Sequence, residues 1–100
     1  MTGYILFEVI KGFAHTGLRL FFETGKKTGI QPKHADRLRL ILTVLNTATA
    51  PRDMGLPGLN LHQLFGDLAE FWAVRVSGNY RVIFRFEGSD AFDVDYMDYH

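Results

Sequence analysis

Two periodicities divide the chain. From Thr16 to Ala48 apolar residues return every three or four positions, and from Trp72 to Tyr96 they return at every second one. The first spacing predicts helices and the second predicts strands, because side chains share a face every 3.6 residues around a helix and every 2 along a strand. Ahead of both, the β-branched and aromatic run from Tyr4 to Ile10 predicts an N-terminal strand. Thr16 is placed to cap a short helix carrying Leu18, Phe21 and Phe22 on one face, closed by Gly25. Gln31-Pro32 opens a second helix, since a proline suits the first helical position. Its stripe is Ala35, Leu38, Ile41, Leu42, Leu45 and Ala48, with Lys33 and Arg37 a turn apart on the polar side. Pro51, Gly55, Pro57 and Gly58 then make residues 49–60 an irregular connection.

The remaining alternation also predicts a register, because paired residues must share a face. A loop at Ser77-Gly78-Asn79 pairs Val76 with Tyr80, Val74 with Val82 and Trp72 with Phe84. A second loop at Glu87-Gly88-Ser89 pairs Phe84 with Phe92, Val82 with Val94 and Tyr80 with Tyr96, and sets Arg81 opposite Asp95 on the outer face. Such an ion pair contributes only about 0.2–1 kcal/mol, but it fixes an arginine on the face away from the core. The expected fold is α+β: an N-terminal strand, two helices, then an antiparallel β-meander, in a single domain over residues 1–100.

Composition narrows the chemistry. Of 100 residues 47% are hydrophobic and 14 are aromatic, enough for a packed core and too many for a disordered chain. The absence of cysteine excludes disulfides, thiolate metal sites and cysteine nucleophiles. Apolar runs such as Tyr4–Phe7 and Leu40–Leu42 are too short to span a membrane, so a soluble cytoplasmic protein is expected. Eleven Lys and Arg balance eleven Asp and Glu, but unevenly. Residues 1–50 hold seven bases against three acids, and residues 51–100 hold four arginines against eight acids. A basic half neutralising phosphates and two ordinary solvated faces both fit that distribution.

Signatures of phosphate-loop, zinc-protease and serine-hydrolase sites are missing. Among the four histidines, His34 in the first turn of the second helix reads as a surface residue, and His15 just before the first helix is no more informative. His62 follows the irregular connection, and His100 closes the chain after Asp98 and Tyr99. The register above carries the last strand past Tyr96, so the final side chains are expected near the sheet rather than frayed. A metal held by two histidines and the Asp93, Asp95, Asp98 set is one chemistry these residues offer. Alternating acids on a strand more often simply face water. An imidazole, an arginine and a tyrosine fit acid–base work at a phosphodiester better.

Several stretches together resemble the HigB-type toxins of the RelE/ParE superfamily. They are Phe21-Phe22-Glu23-Thr24-Gly25, Gly29-Ile30-Gln31-Pro32-Lys33-His34-Ala35, Arg37-Leu38-Arg39-Leu40, Leu56-Pro57-Gly58 and Leu61-His62. The likeness resumes at Gly66-Asp67-Leu68, Trp72-Ala73-Val74, Ser77-Gly78-Asn79-Tyr80-Arg81-Val82 and Phe84-Arg85-Phe86, and ends with Asp93-Val94-Asp95-Tyr96 and Asp98-Tyr99-His100. It covers about residues 13–100. The resemblance implies a RelE-like toxin that cuts messenger RNA in the ribosomal decoding site, with the ribose 2′-OH attacking the adjacent phosphate to leave a cyclic phosphate and a 5′-OH. It implies catalytic positions at His62, Arg81, Asp98, Tyr99 and His100. In these roles His100 transfers a proton, Arg81 stabilises the phosphorane charge and Tyr99 orients the nucleotide. Asp98 holds the terminal pair, and His62 contacts phosphate or assists proton transfer.

RNA or ribosome contacts are expected from Lys26, Lys27, Lys33, Arg37 and Phe65. At Phe65 family members commonly carry a lysine. A phenylalanine cannot neutralise a phosphate, although it can stack on a base, so weaker cleavage than the family norm or an altered preference is expected. The implied partner is a HigA-type helix-turn-helix antitoxin, with operator DNA reached only through it. Two other readings stay open: a gyrase-poisoning toxin of the same superfamily, and a weakened toxin that mainly binds antitoxin and co-represses its promoter.

Overall fold

The computed structural model describes residues 8–99. Helix α1 spans Thr16–Thr24 and helix α2 spans Ala35–Leu45, the latter entered through a 3-10 turn at Pro32–His34. Strands β1 (His62–Gln63), β2 (Trp72–Ser77), β3 (Tyr80–Glu87) and β4 (Asp90–Asp98) follow. They form one antiparallel sheet in the order β1-β2-β3-β4. The α+β class and the meander of the last three strands are as the alternation predicts.

The N-terminal strand is not seen among the described residues, and Tyr4 to Phe7 of that expectation lie outside them. What is described makes two isolated parallel bridges to β4, Ile10 with Ala91 and Phe13 with Val94. Each is closed by short backbone bonds, such as Lys11 N to Ala91 O at 2.8 Å and Ala14 N to Val94 O at 2.9 Å.

Helix α1 is capped by His15 rather than by Thr16: the His15 Nδ1 accepts from the Leu18 backbone N–H at 2.9 Å. Gly25 ends the helix at φ +80°, a left-handed position that a side chain would strain. Helix α2 buries Ala35, Leu38, Ile41, Leu42 and Leu45, the stripe read from the sequence, while Ala48 is buried just beyond its end. Both helices pack on the sheet face that carries Val74, Val82, Phe84, Val94 and Tyr96. Where α1 meets the loop before the 3-10 turn, Gly17 and Gly29 touch backbone to backbone. A Cβ built on Gly17 would lie 2.5 Å from the Gly29 carbonyl oxygen.

The outer face of the sheet has its own small core. Ala73 and Ile83, which alternation sets away from the helices, are buried there with Leu64, under Leu68, Phe71 and Met97. The segment from Phe65 to Phe71 folds over that end of the sheet, tied by Leu64 N to Phe71 O at 2.9 Å and Gln63 Nε2 to Ala69 O at 2.7 Å.

Two bulges correct the expected register. Trp72 pairs with Phe84 and Val74 with Val82 as predicted, but Ser77 rather than Val76 faces Tyr80, because the ladder slips after Arg75. The first turn therefore holds two residues, not three. At the second turn Glu87 pairs with Asp90, and a further slip between Ile83 and Arg85 accommodates Asp93 at φ +53°. Val82 thus faces Tyr96 instead of Val94, Tyr80 faces Asp98 instead of Tyr96, and Arg85 rather than Phe84 faces Phe92. Arg81 faces Met97, not Asp95. The shorter second turn and the slip sum to two residues, so Val82, Val94 and Tyr96 keep their predicted face, whereas Phe92, offset by only one, lies on the outer face with Arg85 and Ala91 takes its place in the core.

Candidate functional site

Paired residues share a face, so the ladder places His62, Ala73 and Ile83 in one row across the outer side of the sheet. The next row in the direction of the Gly78-Asn79 turn holds Arg75, Arg81 and Met97. His62 and Arg81 are therefore two strands apart, roughly 10 Å across the sheet. They line one surface without touching.

His62 is oriented by its own loop. Its Nδ1 lies 2.9 Å from the Asn60 carbonyl oxygen, and Asn60 has the left-handed φ of +52° that turns this carbonyl toward the ring. A carbonyl only accepts, so Nδ1 carries the proton and Nε2 is left as the basic nitrogen. The ring is exposed at the sheet edge.

Arg81 folds back onto the β2–β3 turn. Its Nη1 donates to the Gly78 carbonyl at 2.8 Å and the Tyr80 carbonyl at 3.0 Å. The same turn receives the end of the chain: the Tyr99 N–H donates to the Asn79 carbonyl at 2.8 Å, one rung beyond the Tyr80–Asp98 pair. Arg81 and Tyr99 thus meet at one hairpin turn, with Tyr99 46% exposed, whereas Asp98 shares the helix-side face of its partner Tyr80. His100 lies outside the described residues. Arg75, which the sequence reading passed over, sits opposite Arg81 on the same face and is exposed. The alternation Ala73-Val74-Arg75 was the available signal, since it sets Arg75 on the outer face as it does Arg81.

Other expected contacts are placed differently. Phe65 stands 89% exposed at the start of the turn that follows β1. Arg37 reaches backbone instead of solvent, donating to the Gly58 carbonyl and, through Nε and Nη2, to the Arg75 carbonyl at 3.3 and 3.2 Å. Lys26 and Lys27 follow the end of α1 and Lys33 lies in the 3-10 turn, all exposed in the helix layer. A groove of about 250 Å³ lined by Phe21, Phe22, Arg39 and Leu42 is also in that layer, apart from the face bearing His62 and Arg81. The acids of β4 do not converge. Asp93 binds Arg85 at 2.7 Å, Asp95 accepts from the Tyr96 N–H, and Asp98 pairs with Tyr80. Among the described residues no three His, Asp or Glu side chains form a cation-sized cluster.

His34 is not a surface residue. It is 3% exposed, with Nδ1 2.6 Å from the Tyr96 hydroxyl and its ring edge-on to Tyr80 at 4.7 Å. Burial, and secondly the charge of Lys33, hold its pKa below the usual histidine value. Burial likewise pushes the Tyr96 phenol up. Both groups are therefore neutral at pH 7.

No helix among the described residues is long and apolar enough to cross a membrane. A family model for the RelE-like toxin HigB of type II toxin–antitoxin systems matches residues 11–100. The chain is also 37% identical over 92 residues to the Endoribonuclease HigB of Proteus vulgaris, a match covering 92% of this chain and 100% of that protein. With Arg75 and Arg81 on the outer sheet face, an oriented imidazole and a C-terminal segment bound to the arginine-bearing turn, the chain belongs to the HigB-like family of RelE-type toxins of type II toxin–antitoxin systems.

Proposed function

We propose that this protein is an endoribonuclease toxin that cuts messenger RNA on the ribosome and is held in check by a cognate antitoxin. The observation that carries the reading is the meeting of Arg81 and Tyr99 on the Gly78–Tyr80 turn, on the sheet face that also bears His62 and Arg75. A guanidinium has five N–H donors in a planar fork. Two carbonyls hold Nη1, which fixes the plane and directs the rest of the fork at phosphate oxygens. As the 2′-OH attacks, the phosphorane gains charge, and a pre-positioned cation stabilises it more than the ground state.

In this reading the Nε2 of His62 contacts the phosphate or takes the 2′-OH proton, and His100 transfers the proton at the opposite oxygen. Tyr99 orients the nucleotide, and Asp98 holds the terminal pair against the turn. Arg75 adds a phosphate contact beside Arg81. Phe65, unpacked against the protein, offers its ring to a base, with Lys26, Lys27 and Lys33 toward ribosomal RNA. The step needs no metal: the 2′-oxygen bonds to phosphorus, the 5′-oxygen leaves and takes a proton, and a 2′,3′-cyclic phosphate remains.

Induced expression tests this against the other two readings. Growth arrest with messenger RNA fragments and intact DNA is expected. Broken DNA with intact RNA would mean gyrase poisoning, and unimpeded growth would mean a toxin reduced to antitoxin binding.

A further inference from the structure

The described residues contain one buried polar side chain that the proposed chemistry does not use, His34. It is the centre of a cluster rather than a lone core histidine. The Tyr96 hydroxyl takes a hydrogen bond from the Gln31 N–H at 3.4 Å and shares a second, at 2.6 Å, with His34 Nδ1. The Tyr80 hydroxyl accepts from Gln31 Nε2 at 3.2 Å. The rings of Tyr80 and Tyr96 are 5.4 Å apart, and His15, the cap of α1, meets Tyr96 at the same separation. The segment ahead of α2 is thereby bonded to β3 and β4 through two phenols.

Location gives the cluster its meaning. Tyr80 opens β3, directly opposite Asp98, and the Tyr99 N–H is bonded to Asn79, the residue before Tyr80. The cluster thus lies against the helix-side face of the sheet end whose backbone carries Arg81 and Tyr99. A bare antiparallel sheet end would fray there, since no further rung beyond Tyr99 is supplied by the two-residue turn.

We propose that the His34–Tyr96–Tyr80–Gln31 cluster is a positioning device, holding the ends of β3 and β4 in the register that pairs Asp98 with Tyr80 and brings Tyr99 to the turn that Arg81 grips. Its role in cleavage rests on the function proposed above, but its effect on the backbone does not. His34 and Tyr96 touch no substrate; they act through the strands.

Tyr96→Phe removes one oxygen and keeps the ring. The test measures 15N order parameters of the full-length protein together with cleavage of messenger RNA on programmed ribosomes. In the wild type the Tyr99 amide is expected near the rigid value of about 0.85, and in Tyr96→Phe below about 0.6, with β2 unchanged. The maximal cleavage rate should fall at least tenfold with KM within twofold, beyond any loss of folded protein. Tyr80→Phe, which breaks only the Gln31 contact, should shift both readouts the same way by less, and it serves if Tyr96→Phe does not fold. An unchanged Tyr99 order parameter in the folded variant overturns the positioning role whatever the protein cuts. A loosened Tyr99 with undiminished cleavage supports the backbone effect and overturns the place of the C-terminal residues in the chemistry.

Discussion

At the scale of single residues, burial and hydrogen bonding decide which of two similar side chains serves structure and which serves chemistry. His34 and His62 are both histidines beside polar neighbours in the sequence, yet one is sealed against Tyr80 and Tyr96 and the other stands at an open sheet edge. The lowered pKa of His34 makes stability depend on pH. An unfolded chain binds a proton at the ordinary value of 6.5, while the folded chain resists it. The stability tied to neutral His34 is therefore complete above that value and is lost as pH falls from it toward the lower folded pKa. The groups facing it, Tyr80, Tyr96 and Lys33, supply no anion to offset the charge. Urea midpoints from pH 8 to pH 5 should fall more steeply for the wild type than for His34→Asn; equal slopes would contradict the assignment. Phe65 carries a second residue-scale prediction. A charge-assisted phosphate contact is worth roughly 1.5–3 kcal/mol, so Phe65→Lys should cleave ten- to a hundredfold faster on ribosomes. A wild type as fast as that variant would remove the rate penalty assigned to the phenylalanine.

Among the elements, what was legible in the sequence follows from what local pattern can encode. The stripe of α2 and the faces of β2, β3 and most of β4 depend on periodicity alone and are found where the spacing puts them, Phe92 excepted, which the bulge turns to the outer face. The cross-strand partners depend on bulges at Val76 and near Asp93, which no periodicity announces, so Arg81 faces Met97 rather than Asp95. Burial of His34 was illegible for a related reason: it needs Tyr96, 62 positions away. The candidate site was legible at His62, Arg81 and Tyr99 through motif resemblance, whereas Arg75 was hidden in an ordinary alternation. Arg37, expected among the RNA or ribosome contacts, has its fork on backbone carbonyls. Arg37→Ala should therefore lower the melting temperature, and Arg37→Lys should not restore it, since one ammonium cannot bridge two carbonyl sites in a plane. A melting temperature unmoved by either change would contradict this. The Gly17–Gly29 contact sets how α1 meets the loop leading to Gln31. Gly29→Ala should cost about 1–3 kcal/mol through overpacking, visible as a drop in melting temperature of several degrees. A drop of under one degree would show that the backbones can separate freely.

For the whole molecule, the layers divide the labour. Helices and 3-10 turns cover one face of the sheet and bury its large side chains, which leaves the other face partly open, with a small core at the β1 end and arginines toward the β2–β3 turn. A phosphate backbone crossing from His62 to Arg81, two strands over and one row along, traverses about 12 Å, the span of about two nucleotides, which flank a single linkage. We propose that this face cleaves RNA by attack of a neighbouring 2′-OH. Its most direct test is purified protein added to ribosomes programmed with end-labelled messenger RNA in the presence of a chelator. One cut within the decoding site is expected, leaving a 2′,3′-cyclic phosphate and a 5′-OH, with its loss in Arg81→Ala. Intact messenger RNA, a product bearing a 5′-phosphate, or full cleavage by the arginine variant would contradict it.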